Sequence, residues 1–143
     1  MKNILTITLN PTVDKSTTID QLVPEKKLRC EQPRFEPGGG GVNVSRALRR
    51  LGLNSTALFP SGGRTGKLLE ELLEEEEVSF HPVQVSVETR ENFIVVASST
   101  NSQYRFGMPG MAIPAIELDS LFNEFGNISP FPEIVVFSGS LPP

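Results

Sequence analysis

The chain has 143 residues, 38% hydrophobic and 21% charged, with a formal net charge of −4; this suits one globular domain and leaves no tract long enough to span a membrane. No cationic start followed by an apolar core reads as a signal segment, so a cytoplasmic location without a membrane partner is expected. The acidic balance argues against nucleic acid, and a single cysteine, Cys30, excludes an internal disulfide framework and a multi-cysteine metal site.

Asn3 to Leu9 is rich in isoleucine, leucine and threonine and apolar on both faces, as in a central strand of a parallel sheet. Pro11 stops it and leaves Asp14 beyond its C-terminal end, where open α/β sheets hold their ligands. Ser16 to Arg34 reads as extended and polar, with Pro24 and Pro33 as punctuation and Lys26, Lys27 and Arg29 as its basic residues. Cys30 is expected to be a small buried side chain.

Gly38, Gly39, Gly40 and Gly41 follow, and Val44, Ala47, Leu48 and Leu51 then recur at helical spacing up to Gly52, a helix stop. A glycine run at this place has two readings. It is a flexible linker, or it lets backbone approach a ligand at a helix start, where unpaired N–H groups and the dipole favour an anion.

Ser55 to Phe59 predicts a second core strand and Pro60 to Gly63 a turn, with Thr65 as N-cap of the next helix. Leu68, Leu69, Leu72 and Leu73 mark the buried face of that helix. The acidic run Glu70 to Glu77 reads as a solvated surface. It crowds the wrong end of the helix dipole, so this end is expected to fray. His81, followed by Pro82, is placed at a turn and given no role. Val83 to Val87, Asn92 to Ser98 and Gln103 to Phe106 form a β-rich block that, with Ser16 to Arg34, makes a small separate sheet. Pro114 opens a helix carrying Ile116, Leu118, Leu121, Phe122 and Phe125, closed by Gly126. Ile134 to Phe137 is a last strand opening into Ser138 to Pro143. This order predicts an α/β fold with a mostly parallel sheet flanked by helices.

Two nucleotide motifs fail. A P-loop needs G-x-x-x-x-G-K-[ST], but Leu68 follows Gly66-Lys67 and Ser61 takes the first glycine position. The dinucleotide fingerprint should follow the first strand, where Asn10 to Asp14 stands instead. What remains is polar groups at strand ends: Asp14, Asn43, Ser138 and Ser140. A carboxylate and a carboxamide suit the hydroxyls of a polyol. Arg90 and Arg105, in the β-rich block, offer planar forks matched to phosphate.

The segment Gly39-Gly40-Gly41-Val42-Asn43-Val44-Ser45, with Gly52 and Gly62, matches the spacing of the first signature of the PfkB family of carbohydrate kinases. Leu9 to Asp14, Lys27 to Cys30, Phe35 to Asn43, Phe59 to Gly63, Thr89-Arg90, Gln103 to Phe106, Met108 to Gly110 and Ser138 to Pro143 resemble, in order, the bacterial members acting on fructose 6-phosphate. Relatives acting on fructose 1-phosphate or tagatose 6-phosphate usually carry a lysine inside the glycine run. Gly40 stands there, which points to fructose 6-phosphate.

The resemblance implies a ribokinase-like fold with a small β-sheet lid that also forms a homodimer contact. Residues 1–15, 35–82 and 108–143 would form the core and about 16–34 and 83–107 the lid. It implies ATP and Mg²⁺ as cosubstrate and metal, and a sugar-phosphate site of Asp14, Gly38, Gly39, Gly40, Gly41, Asn43 and Ser140. Arg90 and Arg105 would serve the phosphate, and Lys27 a subunit-interface or allosteric role. The family's second signature, a Gly-Ala-Gly-Asp block with the catalytic base, has no counterpart in this sequence. No catalytic residue or metal ligand is therefore expected here. The chain reads as a truncated, substrate-binding N-terminal half that does not turn over by itself. The rival reading is a stand-alone, non-catalytic sugar-phosphate-binding module.

Overall fold

A computed structural model of the chain describes residues 3–143. In chain order the elements are β1 (Ile4–Ile7), β2 (Thr12–Ile19), β3 (Arg34–Gly38), α1 (Gly40–Arg50), β4 (Thr56–Ser61), α2 (Gly63–Glu75), β5 (Ser79–Gln84), β6 (Arg90–Ala97), β7 (Ser102–Phe106), α3 (Ala115–Asn127) and β8 (Ile134–Phe137). They form two four-stranded sheets. The main sheet, β5-β4-β1-β8, is parallel throughout. The second, β3-β2-β6-β7, pairs β2 with β6 in parallel and both edges antiparallel.

Side-chain alternation splits the core of the main sheet into two layers. Ala57 and Phe59 on β4 face Val42 of α1 and Leu69 and Leu73 of α2, and Val13 joins this layer from the second sheet. Leu58, one residue out of phase, sits with Leu5, Ile7 and Val83 against Leu121 of α3. This is the predicted α/β architecture, helices covering a parallel sheet with a second, smaller sheet beside it.

Helix α1 ends as its sequence predicts. Gly52 (φ +76°) follows the last turn; its N–H donates to Arg49 O, and the Leu53 N–H to Leu48 O. These two bonds make a Schellman motif. Its buried face differs from the predicted one. Gly41, Val42 and Ser45 are buried, whereas Leu51 is 75% exposed. Small side chains let the helix lie on β1, where Thr6 Oγ1 and Ser45 Oγ share a hydrogen bond of 2.8 Å.

Other boundaries move for identifiable reasons. Pro60 and Ser61 belong to β4, not to a turn; β1 pairs with β4 only as far as Leu58, so Pro60 has no N–H to supply on that side. His81 and Pro82 also lie in a strand, the edge strand β5, and His81 Nε2 is 2.8 Å from Glu124 Oε2 of α3. Since β5 pairs with β4, Val83 belongs to the main sheet and not to the separate β block. Conversely Thr12 to Asp14 and Phe35 to Gly38, assigned to the core by sequence, are strand residues of the second sheet. Gly126 lies inside α3, which runs to Asn127. Cys30 is exposed, not buried.

The N-cap of α2 is Gly62, not Thr65. The Thr65 N–H instead donates to Glu88 Oε1 at 2.7 Å, so a distant carboxylate takes the role that a local hydroxyl was expected to fill. That backbone hydrogen bond holds the Glu88 carboxyl below the usual carboxylate range. The acidic run is not simply solvated either. Glu76 pairs with Arg46 and Glu77 with Arg49, both on α1, while Glu70 accepts from Ser61 Oγ at 2.5 Å. These partners offset the unfavourable dipole and tie down the end expected to fray.

Candidate functional site

The glycine run lies where the two sheets meet. Gly38 closes β3, and a side chain there would come within 2.7 Å of Asp14 Oδ2 and of Thr12 Cγ2. Gly39 is the N-cap of α1 with φ +110°, a conformation L side chains rarely adopt. Gly41 rests on the end of β1, where a Cβ would stand 2.6 Å from Thr8 Oγ1 and 2.7 Å from Ile7 O. The four glycines are therefore a rigid corner of strand, cap and helix start, and the linker reading falls.

The helix start leaves less room for an anion than its sequence suggests. The Gly41 N–H donates to Ser138 O at 3.0 Å, the Val42 N–H to Thr8 Oγ1 at 2.9 Å, and the Asn43 N–H to Gly39 O at 2.9 Å. The Gly41 and Val42 donors are thus committed within the chain, and the Asn43 bond is the helix's own first bond. Gly40 is pressed against the loop after β8: a Cβ would stand 2.5 Å from Ser138 Oγ and collide with the Gly139 backbone.

Asp14 is the third residue of β2, not a residue left past the first strand. Register sets its neighbours: Asp14 is opposite Asn92, Thr12 opposite Arg90, and Ile94 opposite both Ser16 and Arg105. Alternation places Asp14, Arg90, Asn92 and Arg105 on one face of the second sheet. Asn92 Nδ2 donates to Asp14 Oδ1 at 3.0 Å and its Oδ1 accepts the Met108 N–H at 3.0 Å. Asn92 thus orients the carboxylate and leaves Oδ2 over Gly38.

Arg90 gathers three segments. Its Nε and Nη2 donate to Asn10 O at 3.3 and 3.0 Å, Nη1 to Met108 O at 2.7 Å, and Nη2 also to Ser140 Oγ at 3.3 Å. These contacts use four of the five guanidinium N–H donors, leaving one on Nη1. Burial pushes the Arg90 pKa down, and the charge of Asp14 opposes that shift. The Asn10 carboxamide donates to Pro109 O at 3.0 Å and to Ser140 Oγ and Leu141 O at 3.3 Å. A cleft of about 400 Å³ lies among Asn10, Arg90, Gly107 to Pro109, Ser140, Leu141 and Pro143.

The structure therefore brings together Asp14 with Gly38, Arg90 with Ser140, and Gly40 with Ser138. Asn43 is exposed on the first turn of α1 and bonded to Arg46. Arg105 shares the Asp14 face but lies on the edge strand β7, exposed. Lys27 is not at the site: it is exposed in the β2–β3 connection, beyond the end of β2 farther from Asp14. Sequence reasoning missed Thr8, Asn10, Asn92 and Glu88. Asn10 alone carried a signal, a buried polar residue next to Pro11 at a strand end. Among the described residues no group of three or more His, Cys, Asp or Glu side chains is placed to hold a metal ion. These residues therefore do not supply a ligand set for Mg²⁺.

A parallel sheet with helices on both faces, a small second sheet and polar groups gathered at their junction define the sugar-kinase architecture. The family model of the pfkB family carbohydrate kinases matches residues 4–143, and the chain belongs to that family. It is 46% identical over 143 residues to the ATP-dependent 6-phosphofructokinase isozyme 2 of Escherichia coli, covering 100% of this chain and 46% of that protein. It is 45% identical over 140 residues to the isozyme 2 of Mycobacterium tuberculosis, covering 98% and 41%. The crystal structure of phosphofructokinase-2 from Escherichia coli in complex with fructose-6-phosphate superposes with a TM-score of 0.93 at 45% identity, over 100% of this chain and 47% of that one. The chain spans a little under half the length of the relatives it matches.

Proposed function

We propose that this chain is the substrate-binding part of an ATP-dependent 6-phosphofructokinase that phosphorylates fructose 6-phosphate at its 1-hydroxyl. The observation that carries this reading is the convergence of Asp14, Arg90 and Ser140, held by Asn92 and Asn10, at the junction of the two sheets. Asp14 Oδ2 accepts from sugar hydroxyls, and Asn43 and Ser140 complete the hydroxyl contacts. Arg90 supplies one free N–H and its charge to the phosphate, with Arg105 on the same face. Gly38 to Gly41 pack against the sugar, at a corner where side chains would collide with Asp14, Thr8 and the Ser138–Gly139 backbone. ATP and Mg²⁺ bind elsewhere in the protein, and this chain by itself does not turn over. The reaction needs the transferred group positioned and its charge offset, which the described residues do not provide.

The packed contact at Gly40 supports fructose 6-phosphate over tagatose 6-phosphate or fructose 1-phosphate, whose kinases usually carry a lysine at the corresponding place. The second sheet supports a homodimer. Its face opposite Asp14 carries Phe35, Tyr104 and Phe106, which are 38%, 40% and 45% exposed. Lys27, at the outer end of that sheet, then serves a neighbouring subunit.

Calorimetric titration of the chain with fructose 6-phosphate, tagatose 6-phosphate and fructose 1-phosphate tests the assignment. Saturable binding of fructose 6-phosphate is expected, weakened by Asp14→Asn by roughly tenfold or more, as for a lost charged hydrogen bond. Tighter binding of either competitor overturns the substrate, and an unchanged affinity in Asp14→Asn overturns the site.

A further inference from the structure

Arg46 stands one turn after Asn43 on α1, and its side chain is 11% exposed. Its guanidinium joins three elements. Nε and Nη2 donate side by side to Glu76 Oε2 and Oε1 at 2.7 and 2.6 Å, a bidentate pair at the end of α2. Nη1 donates to Pro37 O of β3 at 2.8 Å, one residue before Gly38, and to Asn43 Oδ1 at 3.2 Å. Glu36 Oε1 lies 3.4 Å from Nη2.

A guanidinium carries donors only. The amide atom that faces it is therefore Oδ1, and the Asn43 Nδ2, with two N–H groups, is turned away from Arg46. We propose that Arg46 is a positioning residue: it fixes the Asn43 carboxamide as a hydrogen-bond donor toward the sugar phosphate. Glu76 holds the fork in place from the far side. The Glu76 hydrogen bonds also raise the pKa of Arg46 above its already high value, so the fork stays charged. This inference deepens the reading of Asn43 as a substrate contact and rests on it. The ligand atom opposite Asn43 is then an acceptor oxygen, of a hydroxyl or of the phosphate.

Asn43→Asp separates position from chemistry, because it keeps an acceptor toward Arg46 and turns the outward donors into an acceptor. Its unfolding midpoint should stay unchanged while fructose 6-phosphate binding weakens roughly tenfold or more. Arg46→Met, which keeps the apolar stem, should weaken binding about tenfold. In the double variant Arg46→Met/Asn43→Ala, it should cost less than about twofold beyond Asn43→Ala alone. Full additivity in that cycle overturns the proposal, as does undiminished affinity in Asn43→Asp. A second readout needs no ligand. The ¹⁵N order parameter of Asn43 Nδ2 should fall below about 0.6 in Arg46→Met, and in Arg46→Lys, whose single ammonium cannot span Glu76, Pro37 O and Asn43 together. An unchanged order parameter in Arg46→Lys overturns the role even if Arg46→Met does not fold. Should the wild-type chain bind no fructose 6-phosphate, the substrate assignment fails, and the order parameter still decides the role of Arg46.

Discussion

In the main sheet β1 and β4 are covered on both faces, with Leu5, Ile7 and Leu58 against α3 and Ala57 and Phe59 against α1 and α2. In the second sheet the same alternation serves another purpose. One face of β2 and β6 carries Asp14 and Asn92, bonded to each other, while Phe35, Tyr104 and Phe106 on the opposite face stay more than one third exposed. The first arrangement fixes where strands lie; the second leaves side chains available to something outside. The main sheet is thus covered on both faces, while the second joins that core through Val13 and keeps part of its surface open.

The largest effect should come from breaking the covered side. Phe59, fully buried, touches both helices' layer, and Phe59→Ala should cost about 3–5 kcal/mol in denaturant unfolding. Phe106→Ala, at 45% exposure on the second sheet, should cost under about 1 kcal/mol in the same assay. Equal losses would mean that the open face of the second sheet is as stabilising as the covered core.

At the joint itself, Gly40→Ala should destabilise by about 1–3 kcal/mol, since its methyl group meets the Ser138–Gly139 backbone and that loop must move. Because Ser140 belongs to the same loop, fructose 6-phosphate affinity should fall as well. A variant with native affinity would detach the glycine corner from the site.

A smaller effect than that of Phe59→Ala is a pH dependence at the tie between α1 and α2. Arg46 hydrogen bonds hold the Glu76 carboxyl below the usual carboxylate range. A depressed folded-state pKa contributes stability above the unfolded value, about 4.3, and that contribution is lost as pH falls through the folded value. Glu76→Gln should therefore be less stable than wild type by about 1–2 kcal/mol at pH 7, the gap narrowing below about pH 4. A gap constant from pH 7 to pH 3 would show that the pair's charge is immaterial.

Much of the fold was legible because hydrophobic periodicity and glycine stops are local signals. Gly52 ended α1 where its spacing required, and Ile134 to Phe137 formed a strand. Prolines misled where a strand had no partner on one side: Pro60 lies beyond the pairing of β1 with β4, and Pro82 sits on the edge strand β5. Neither position needs the missing N–H. The cap of α2 was illegible because Glu88 lies 23 residues from Thr65. The same holds for the acidic run, whose partners Arg46 and Arg49 belong to another helix.

At the site, Asp14, Arg90 and Ser140 could be named as chemistry-bearing residues, but not the groups that aim them. Asn92 orients Asp14 through strand pairing, and Asn10 holds Ser140 across 130 residues of sequence. The glycine run was recognisable as special, and of its two readings the flexible linker is the one that falls. Its Gly41 and Val42 N–H groups are already bonded to distant parts of the chain, and its glycines are closely packed.

The most direct test of the central account is a ¹⁵N–¹H shift map of the chain titrated with fructose 6-phosphate. The account predicts saturable shifts at Asp14, at Gly38 to Asn43, and at Arg90 and Ser140, with Phe35, Tyr104 and Phe106 unmoved. Shifts confined to the Phe35–Tyr104–Phe106 face, or none at the glycine corner, would contradict it.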